Sequence, residues 1–275
     1  RTRGLAPRPV TATHRHTPRP NMTDLPHSLS RSLVIHAPRA TVFRYFTDSA
    51  RFARWWGEGS TIDGRVGGDV KIVYPNGVIA RGAVTRIEPE RLVAFTFGYE
   101  DPQKPIAVGG SLVTIELYEH PDGTRLELRH DLASPEARDQ HVPGWRFQLS
   151  QFANVAADEA AADATTAIDT WFRAWSETDA AARERLLAGC ATPDVSMQDR
   201  WTCLRGLADL GQHVAICLQM APGATTTRTG ELRHCQGTAL VDWTATAADG
   251  APRGRGTNVV RFAPDGRIAG VVGFW

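Results

Sequence analysis

Residues 143–156 read PGWRFQLSQFANVA, and this stretch decides the fold of the first half of the chain. Its large apolar side chains recur at spacings of four, three and four, at Trp145, Leu149, Phe152 and Ala156. Such spacing places them on one face of a helix, which must bury that face against another layer of structure. Because proline is favoured in the first helical turn, we predict that the helix starts at Pro143.

Strand-like runs separated by turns precede this helix. They span residues 32–36, 70–74, 78–87, 92–99, 111–118 and 124–131. The tripeptide PNG at 75–77 is typical of a hairpin turn. Two short helical stretches, one opening at Ala37 and one over 48–55, lie between the first two runs. We therefore predict an antiparallel sheet covered by one long helix, which is an α+β arrangement.

The second half of the chain reverses the order of the elements. Helices are predicted at 166–176, 179–187 and 207–220, a short strand at 194–198, and further strands at 225–235, 238–246, 253–262 and 268–274. The stretch 156–165 is rich in Ala and Asp and has no large apolar residue to bury, so it marks a boundary. The sequence thus predicts a disordered tail at 1–29 and two α+β domains, at 30–160 and 163–275.

Composition and charge exclude several classes of protein. The 275 residues are 42% hydrophobic and 22% charged, with a net charge of +1, as in an ordinary globular protein. Positive charge is concentrated in the tail, and the rest of the chain has no basic stripe, which argues against nucleic-acid binding. No apolar run reaches the roughly 18 residues of a membrane span, and no signal peptide is evident. We predict a cytoplasmic protein that does not bind membranes.

The sequence carries no motif for a metal or a cofactor. Its four cysteines lack the spacing of a zinc site, and His213 and His234 have no partner at ligand spacing. Cys217 lies on an apolar helix face and is interpreted as a core residue. The motifs of zinc proteases, serine hydrolases, phosphate-binding loops and Rossmann enzymes are absent. We therefore predict no metal and no cofactor.

A set of short motifs in the first half points to a known family. The motifs are Ala37-Pro38-x-x-x-Val42-Phe43, Trp55-Trp56, Gly67-Gly68, Gly82-x-Val84-x-x-Ile87-x-Pro89-x-x-Leu92, Thr124-Arg125-Leu126 and His141-x-x-Gly144-Trp145. With them, residues 30–160 resemble the heat-shock protein 90 ATPase activator-like branch of the START-like (SRPBCC, polyketide cyclase/dehydrase) superfamily. The resemblance implies a helix-grip fold, in which a curved antiparallel sheet wraps around a long C-terminal helix. It also implies an elongated apolar cavity for a lipid, polyketide or other hydrophobic molecule.

A second set of motifs lies in the other half. The motifs are Trp171-Phe172-x-x-Trp175, Thr178-Asp179, Asp194-Val195-x-x-x-Asp199, Leu204-x-Gly206, Val241-Asp242-Trp243, Arg253-Gly254-x-Gly256, Val260-x-Phe262 and Gly266-x-Ile268. With them, residues 163–275 resemble the SnoaL-like, nuclear transport factor 2-like superfamily. The implied fold is a cone, in which a bent sheet and helices enclose a pocket. Such cones serve as enzymes, ligand binders and dimerisation modules, so the fold alone does not fix the function.

The second resemblance also implies candidate catalytic residues. Isomerases of that superfamily use a carboxylate after the first strand as general base and an acid on a later strand as oxyanion donor. Asp199 falls at the position of the base and Asn258 at that of the donor, whereas Trp171 replaces the usual tyrosine. Amide and indole N–H groups can still donate to an oxyanion. Asp242 is a third candidate, which by strand alternation faces either the pocket or solvent.

Aromatic side chains are the candidates for ligand binding. They are Trp55, Trp56, Tyr74, Phe95, Phe97, Tyr99, His141 and Trp145 in the first domain, and Trp171 and Trp175 in the second. Since a pocket rich in aromatic rings suits an apolar ligand, we predict binding of a hydrophobic small molecule. The second domain would bind a related ligand or form a homodimer. Two alternatives stay open: a cofactor-free isomerase, cyclase or hydratase acting on a polyketide or steroid-like carbonyl compound, and a co-chaperone-like module that stimulates an ATPase.

Overall fold

The first of two β-sheets is seven-stranded in the computed structural model, which describes residues 25–275. Its strands are β1 His27–Ile35, β2 Thr61–Ile62, β3 Asp69–Val73, β4 Ile79–Glu88, β5 Leu92–Tyr99, β6 Ser111–His120 and β7 Gly123–Leu132. They lie in the order β1-β7-β6-β5-β4-β3-β2, and every neighbouring pair is antiparallel. The predicted meander is therefore present, and β1 pairs with β7 along its edge.

The tail prediction needs one correction at its C-terminal end. β1 begins at His27, so residues 27–29 belong to a strand and not to a disordered tail. The burial of Leu29 at 6% exposure explains why this segment is ordered. Residues 1–24 lie outside the described residues.

Three helices accompany this sheet: α1 Arg39–Arg44, α2 Ser49–Trp56 and α3 Pro135–Ala160. Asp48 caps α2, because its carboxylate accepts the backbone N–H groups of Ala50 and Arg51. The long helix α3 packs on the sheet and buries Trp145, Leu149, Phe152 and Ala156, so the predicted apolar stripe is confirmed.

The predicted start of the long helix at Pro143 is wrong. The helix begins eight residues earlier at Pro135, and the hydroxyl of Ser134 caps it by accepting the N–H of Ala137 at 3.1 Å. Ser134 followed by Pro135 is a favoured helix start, which the apolar spacing further along concealed. Pro143 lies inside the helix, where it cannot donate the usual hydrogen bond to the carbonyl of Asp139.

Glu159 joins α3 to the two short helices. Its carboxylate accepts hydrogen bonds from Arg44 at 3.1 Å, Arg51 at 3.0 Å, Arg54 at 3.2 Å and the phenol of Tyr45 at 3.1 Å. The side chain of Glu159 is 18% exposed, so these partners replace most of its hydration.

The second sheet is six-stranded. Its strands are β8 Ala191–Gln198, β9 Cys203–Arg205, β10 Thr225–Cys235, β11 Thr238–Thr246, β12 Pro252–Phe262 and β13 Ile268–Phe274, and its helices are α4 Ala164–Ala174, α5 Ala180–Cys190 and α6 Leu207–Met220. The order is β10-β11-β12-β13-β8-β9, and β13 pairs parallel with β8 while its other neighbour β12 is antiparallel. The short strand β9 was not predicted.

Each sheet has its own hydrophobic core. One cluster of buried residues draws on the chain up to Ala156 and the other on the chain from Ala164 onward. Helix α3 ends at Ala160 and α4 begins at Ala164, so a short turn separates them within the predicted boundary region. The described chain is thus an α+β protein with six helices; that each half folds as an independent domain stays a prediction.

Candidate functional site

A cleft of about 240 Å³ opens between the first sheet and α3. Its lining residues are Tyr74, Asn76, Val78, Tyr99, Lys104, Pro105, Gln140 and His141. Tyr99 ends strand β5, Tyr74 follows strand β3, and His141 lies on the second turn of α3. Tyr74, Tyr99 and His141 form what we call the floor of the cleft. Its rim consists of the loop residues Asn76, Val78, Lys104 and Pro105.

Two short contacts define the hydrogen-bonding state of His141. Its Nδ1 lies 2.6 Å from the carbonyl oxygen of Ala137, and its Nε2 lies 2.9 Å from the phenol oxygen of Tyr99. Since a carbonyl only accepts, Nδ1 carries the proton and Nε2 accepts the O–H of Tyr99. Burial lowers the pKa of His141, so the imidazole is neutral at neutral pH.

The two tyrosines of the floor lie side by side. Their ring centroids are 6.3 Å apart, and the planes are tilted by 33°. Burial raises the pKa of Tyr99, and burial together with the neighbouring Tyr99 raises the pKa of Tyr74. Both phenols therefore keep their protons at neutral pH and act as hydrogen-bonding groups.

A second histidine, His130, lies buried behind the first. The indole N–H of Trp145 donates to its Nδ1 at 3.0 Å, and its Nε2–H donates to Ser111 Oγ at 2.8 Å. The hydroxyl of Ser111 in turn donates to the carbonyl of Phe97 at 2.9 Å. Burial, with a smaller contribution from His141, lowers the pKa of His130 to about 3. His130 is thus a neutral, fully satisfied core residue that fixes α3 on the sheet.

The predicted aromatic residues of the first half divide into two groups. Tyr74, Tyr99 and His141 line the cleft. The other five are buried in the core of the sheet: Trp55, Trp56, Phe95, Phe97 and Trp145. The two groups are in contact, since the rings of Trp56 and Tyr74 have centroids 5.7 Å apart.

Sequence reasoning missed five residues that line the cleft: Asn76, Val78, Lys104, Pro105 and Gln140. Four of them belong to turns and loops, where no periodicity indicates which residues meet in space. Gln140 is on α3, one residue before His141. Its position next to a predicted ligand-binding residue was the one feature of the sequence that could have indicated it.

The two leading catalytic candidates of the second half lie on either side of one glycine. A Cβ placed on Gly273 would lie 3.2 Å from Asn258 Oδ1 and 3.4 Å from Asp199 Cβ. The indole N–H of Trp243 donates to Asn258 Oδ1 at 3.1 Å, so the amide NH₂ is the group that Asn258 can offer to another molecule. Asp199 accepts the backbone N–H of Trp201 at 2.8 Å.

Helix α6 adds further polar groups near Asp199. His213 Nε2 lies 3.4 Å from Thr202 Oγ1 and 3.6 Å from Cys217 Sγ. Burial, with a smaller contribution from the charge of Asp199, raises the pKa of Cys217. The thiol therefore stays protonated at neutral pH. Cys217 is only partly buried and is not part of the second core, so its interpretation as a core residue is wrong.

Of the two tryptophans predicted to bind ligand, Trp171 lies on α4 and Trp175 is the residue that caps its C-terminus. Trp171 is 2% exposed and belongs to the second core. The ring centroid of Trp175 is 6.4 Å from that of Trp171 and 5.7 Å from that of His213. Trp175 is thus the one of the two that lies beside the polar groups of α6.

Asp242 is separated from the other catalytic candidates. On β11 it pairs with Thr257, whereas Asn258 pairs with Val241, so Asp242 and Asn258 point to opposite faces of the sheet. Asp242 accepts the hydroxyl of Thr257 at 2.6 Å and lies 3.5 Å from Arg233, with half of its side chain exposed. Its assignment to the same catalytic site as Asn258 is therefore wrong, because strand alternation turns it to the outer face.

Residues 25–275 were compared with the requirements of a membrane-crossing helix and of a metal-binding cluster. No helix there is both long and apolar enough to cross a membrane. In the same range, no three His, Cys, Asp or Glu side chains converge as metal ligands would.

Comparison with known proteins finds one family model that matches residues 36–157. They match the model described as Activator of Hsp90 ATPase homolog 1-like protein. Among solved structures, an AHSA1-like protein from Rhizobium etli is 32% identical; the match covers 48% of this chain and 84% of that chain, with a TM-score of 0.39. CalU16 from Micromonospora echinospora is 31% identical, with 46% and 75% covered and a TM-score of 0.38.

A different protein family also appears among the solved structures. A SnoaL-like family protein from Agrobacterium tumefaciens, provisionally named an isomerase, is 25% identical. That match covers 41% of this chain and 97% of that chain, with a TM-score of 0.39. A comparison with curated proteins returned no match.

Proposed function

We propose that the first half of the chain binds a small molecule in the cleft of Tyr74, Tyr99 and His141. The match of residues 36–157 to the model of the Activator of Hsp90 ATPase homolog 1-like family supports this proposal. The observation that carries the proposal is the hydrogen bond of 2.9 Å between Tyr99 and His141 Nε2 in the wall of this cleft. It holds an oriented polar group beside aromatic surface, which is the usual composition of a ligand site.

The location of the ligand differs from the elongated cavity that the resemblance implies. Between the sheet and α3, aromatic rings pack against one another: Trp55 lies 4.4 Å from Trp56 and 4.8 Å from Phe152, and Trp56 lies 5.6 Å from Trp145, measured between centroids. These side chains fill the space where an apolar ligand would lie. The proposed ligand therefore occupies the end of the sheet near His141, and it is small and partly polar.

Native mass spectrometry of the purified protein, followed by organic extraction, tests this proposal. A retained small molecule that stabilises the protein thermally is the expected result, because a ligand that binds only the folded state raises its stability. Tyr99→Phe removes the hydroxyl at the cleft, whereas Tyr118→Phe removes one that donates to Glu116 elsewhere. Stabilisation that is lost in the first variant and kept in the second supports the cleft; equal effects in both variants would exclude it.

A second candidate function belongs to the other half, and the neighbourhood of Asp199 and Asn258 favours it. We propose that this pair transfers a proton next to a carbonyl group, in an isomerisation that needs no cofactor. Asp199 would remove the proton, and the amide NH₂ of Asn258 would donate to the carbonyl oxygen as negative charge develops on it. Screening of α,β- and β,γ-unsaturated ketones for isomerisation tests this candidate.

A further inference from the structure

The hydrogen bonds around the cleft have a fixed direction. Nδ1–H of His141 donates to Ala137, and the phenol of Tyr99 uses its single proton on Nε2 of His141. The oxygen of Tyr99 is thereby left with lone pairs only, and the hydroxyl of Tyr74 donates to one of them, which partly offsets the rise in the pKa of Tyr99. A molecule that meets this oxygen must bring a hydrogen of its own, as a hydroxyl or N–H group does.

The rim of the cleft offers hydrogen-bond donors, whereas Tyr99 offers an acceptor. Of the described residues that line it, Lys104 is the one that carries a charge at neutral pH, and none is a carboxylate. Lys104 forms no ion pair within residues 25–275, and the nearby Asp101 accepts the backbone N–H of Gln103. The amide oxygen of Asn76 accepts the N–H of Val78 at 3.2 Å, so its NH₂ is the group that it can offer. Cation and amide donors together favour an anion.

Flat apolar surface lies between the acceptor at Tyr99 and the cation at Lys104. The rings of Tyr74 and Tyr99 are tilted by only 33°, and Val78 and Pro105 also line the cleft. Such a surface accommodates a planar molecule, which loses little conformational freedom on binding.

From these three features we infer that the cleft selects a flat, conjugated molecule with a hydroxyl or N–H donor at one end and an anionic group, such as a carboxylate, at the other. The donor meets Tyr99, and the anion lies near Lys104. This inference rests on the proposed binding function and adds the chemical class and orientation of the ligand.

Three related probes separate the two ends. para-Coumarate has both groups, cinnamate lacks the hydroxyl, and para-coumaramide lacks the charge. We expect para-coumarate to bind about tenfold more tightly than cinnamate, which is the effect of one good hydrogen bond. We expect it to bind about threefold more tightly than the amide, because the exposed position of Lys104 weakens its attraction. Isothermal titration calorimetry gives the affinities, and amide shifts in NMR spectra locate the site.

Matched variants assign each preference to its residue. Tyr99→Phe should abolish the preference for para-coumarate over cinnamate and leave the preference for the acid over the amide. Lys104→Gln should abolish the preference for the acid over the amide and leave the preference for para-coumarate over cinnamate. Lys71→Gln is the control, since Lys71 is the other lysine of the chain and does not line the cleft. It should change neither ratio.

The outcomes distinguish this inference from the proposed function. If all three probes shift the NMR resonances of the amides around His141 but bind with equal affinity, the cleft is a binding site and the inferred ligand class is wrong. Absence of any shift at millimolar probe concentration also overturns the class. The extraction experiment then still decides the binding function, because it makes no assumption about the ligand.

Discussion

Tyr99 and His141 are joined by a hydrogen bond of 2.9 Å whose direction is set by a third group. The carbonyl of Ala137, 2.6 Å from Nδ1, requires a proton on that nitrogen. Nε2 of the neutral ring is then an acceptor, and the phenol is its donor. The backbone of α3 thereby determines which hydrogen-bonding group strand β5 presents to the cleft.

Protonation of His141 should reverse this arrangement. Its pKa lies below the ordinary value of 6.5 because of burial, so the Nδ1–H tautomer persists through neutral pH. Below its own pKa, Nε2 gains a proton and can no longer accept from Tyr99. We expect long-range ¹H–¹⁵N spectra to show the Nδ1–H form at pH 7. Ligand affinity should fall only when the ring titrates; an Nε2–H form at pH 7 would contradict the assignment.

The buried His130 should make stability depend on pH. Its pKa is about 3 in the folded protein and about 6.5 when exposed, so only the unfolded state binds the proton between these values. The free energy of unfolding should therefore be highest above pH 6.5. It should decrease on acidification by up to about 1.4 kcal/mol per pH unit from this group. Urea denaturation at several pH values measures the slope.

Replacement of His130 tests its role as a hydrogen-bonding centre. His130→Phe leaves the indole of Trp145 and the hydroxyl of Ser111 without their buried partner. We expect a loss of about 3 kcal/mol at pH 7, together with a weaker dependence on pH. His120→Gln, at a partly exposed histidine, is the control and should change stability little.

Glu159 should contribute to stability mainly through its charge. Glu159→Gln keeps an acceptor for Tyr45 but leaves Arg44, Arg51 and Arg54 facing one another. Because the arginines are partly exposed, we expect a loss of about 1–2 kcal/mol that shrinks at high salt. Glu184→Gln changes an exposed carboxylate on α5 and serves as the control. Equal losses in the two variants would show that the cluster adds nothing.

Gly273 offers a test of the proposed isomerase site that leaves both functional groups in place. A methyl group there would press on Asn258 Oδ1 and approach Asp199. We expect Gly273→Ala to lower any isomerase activity at least tenfold through misalignment. Asp199→Asn should abolish that activity with little effect on folding. Activity that survives Asp199→Asn would remove Asp199 from the mechanism.

Much of the fold follows from patterns that are visible in the sequence. The bounds of β5, β10, β11, β13 and α6 agree with the predicted ranges, because alternation or helical spacing ends at clear turn residues. The start of α3 was missed because its first two turns lack the apolar stripe, and only Ser134 with Pro135 indicates it. Strand β9 was missed because its three residues are ordered by pairing with β8 and not by a pattern of their own.

The site was less accessible to sequence reasoning. Tyr74, Tyr99 and His141 were predicted because aromatic residues near a long helix suggested a binding surface. Lys104 was not predicted, because a loop residue comes to line the cleft only through tertiary packing. The hydrogen-bonded chain from Trp145 through His130 and Ser111 to Phe97 depends on contacts between distant segments, which no local pattern indicates.

The position of β13 has a consequence for how the second sheet assembles. This strand lies between β12 and β8, and its parallel contact joins Gly270 to Ser196, far earlier in the chain. Neighbouring hairpins of β10, β11 and β12 can form by closing short loops. The contact of β13 with β8 must close a long loop, which costs more conformational entropy. Closure of the contact between β13 and β8 is therefore the step with the largest loop entropy in the second sheet, whereas the hairpins of β10, β11 and β12 close over short loops.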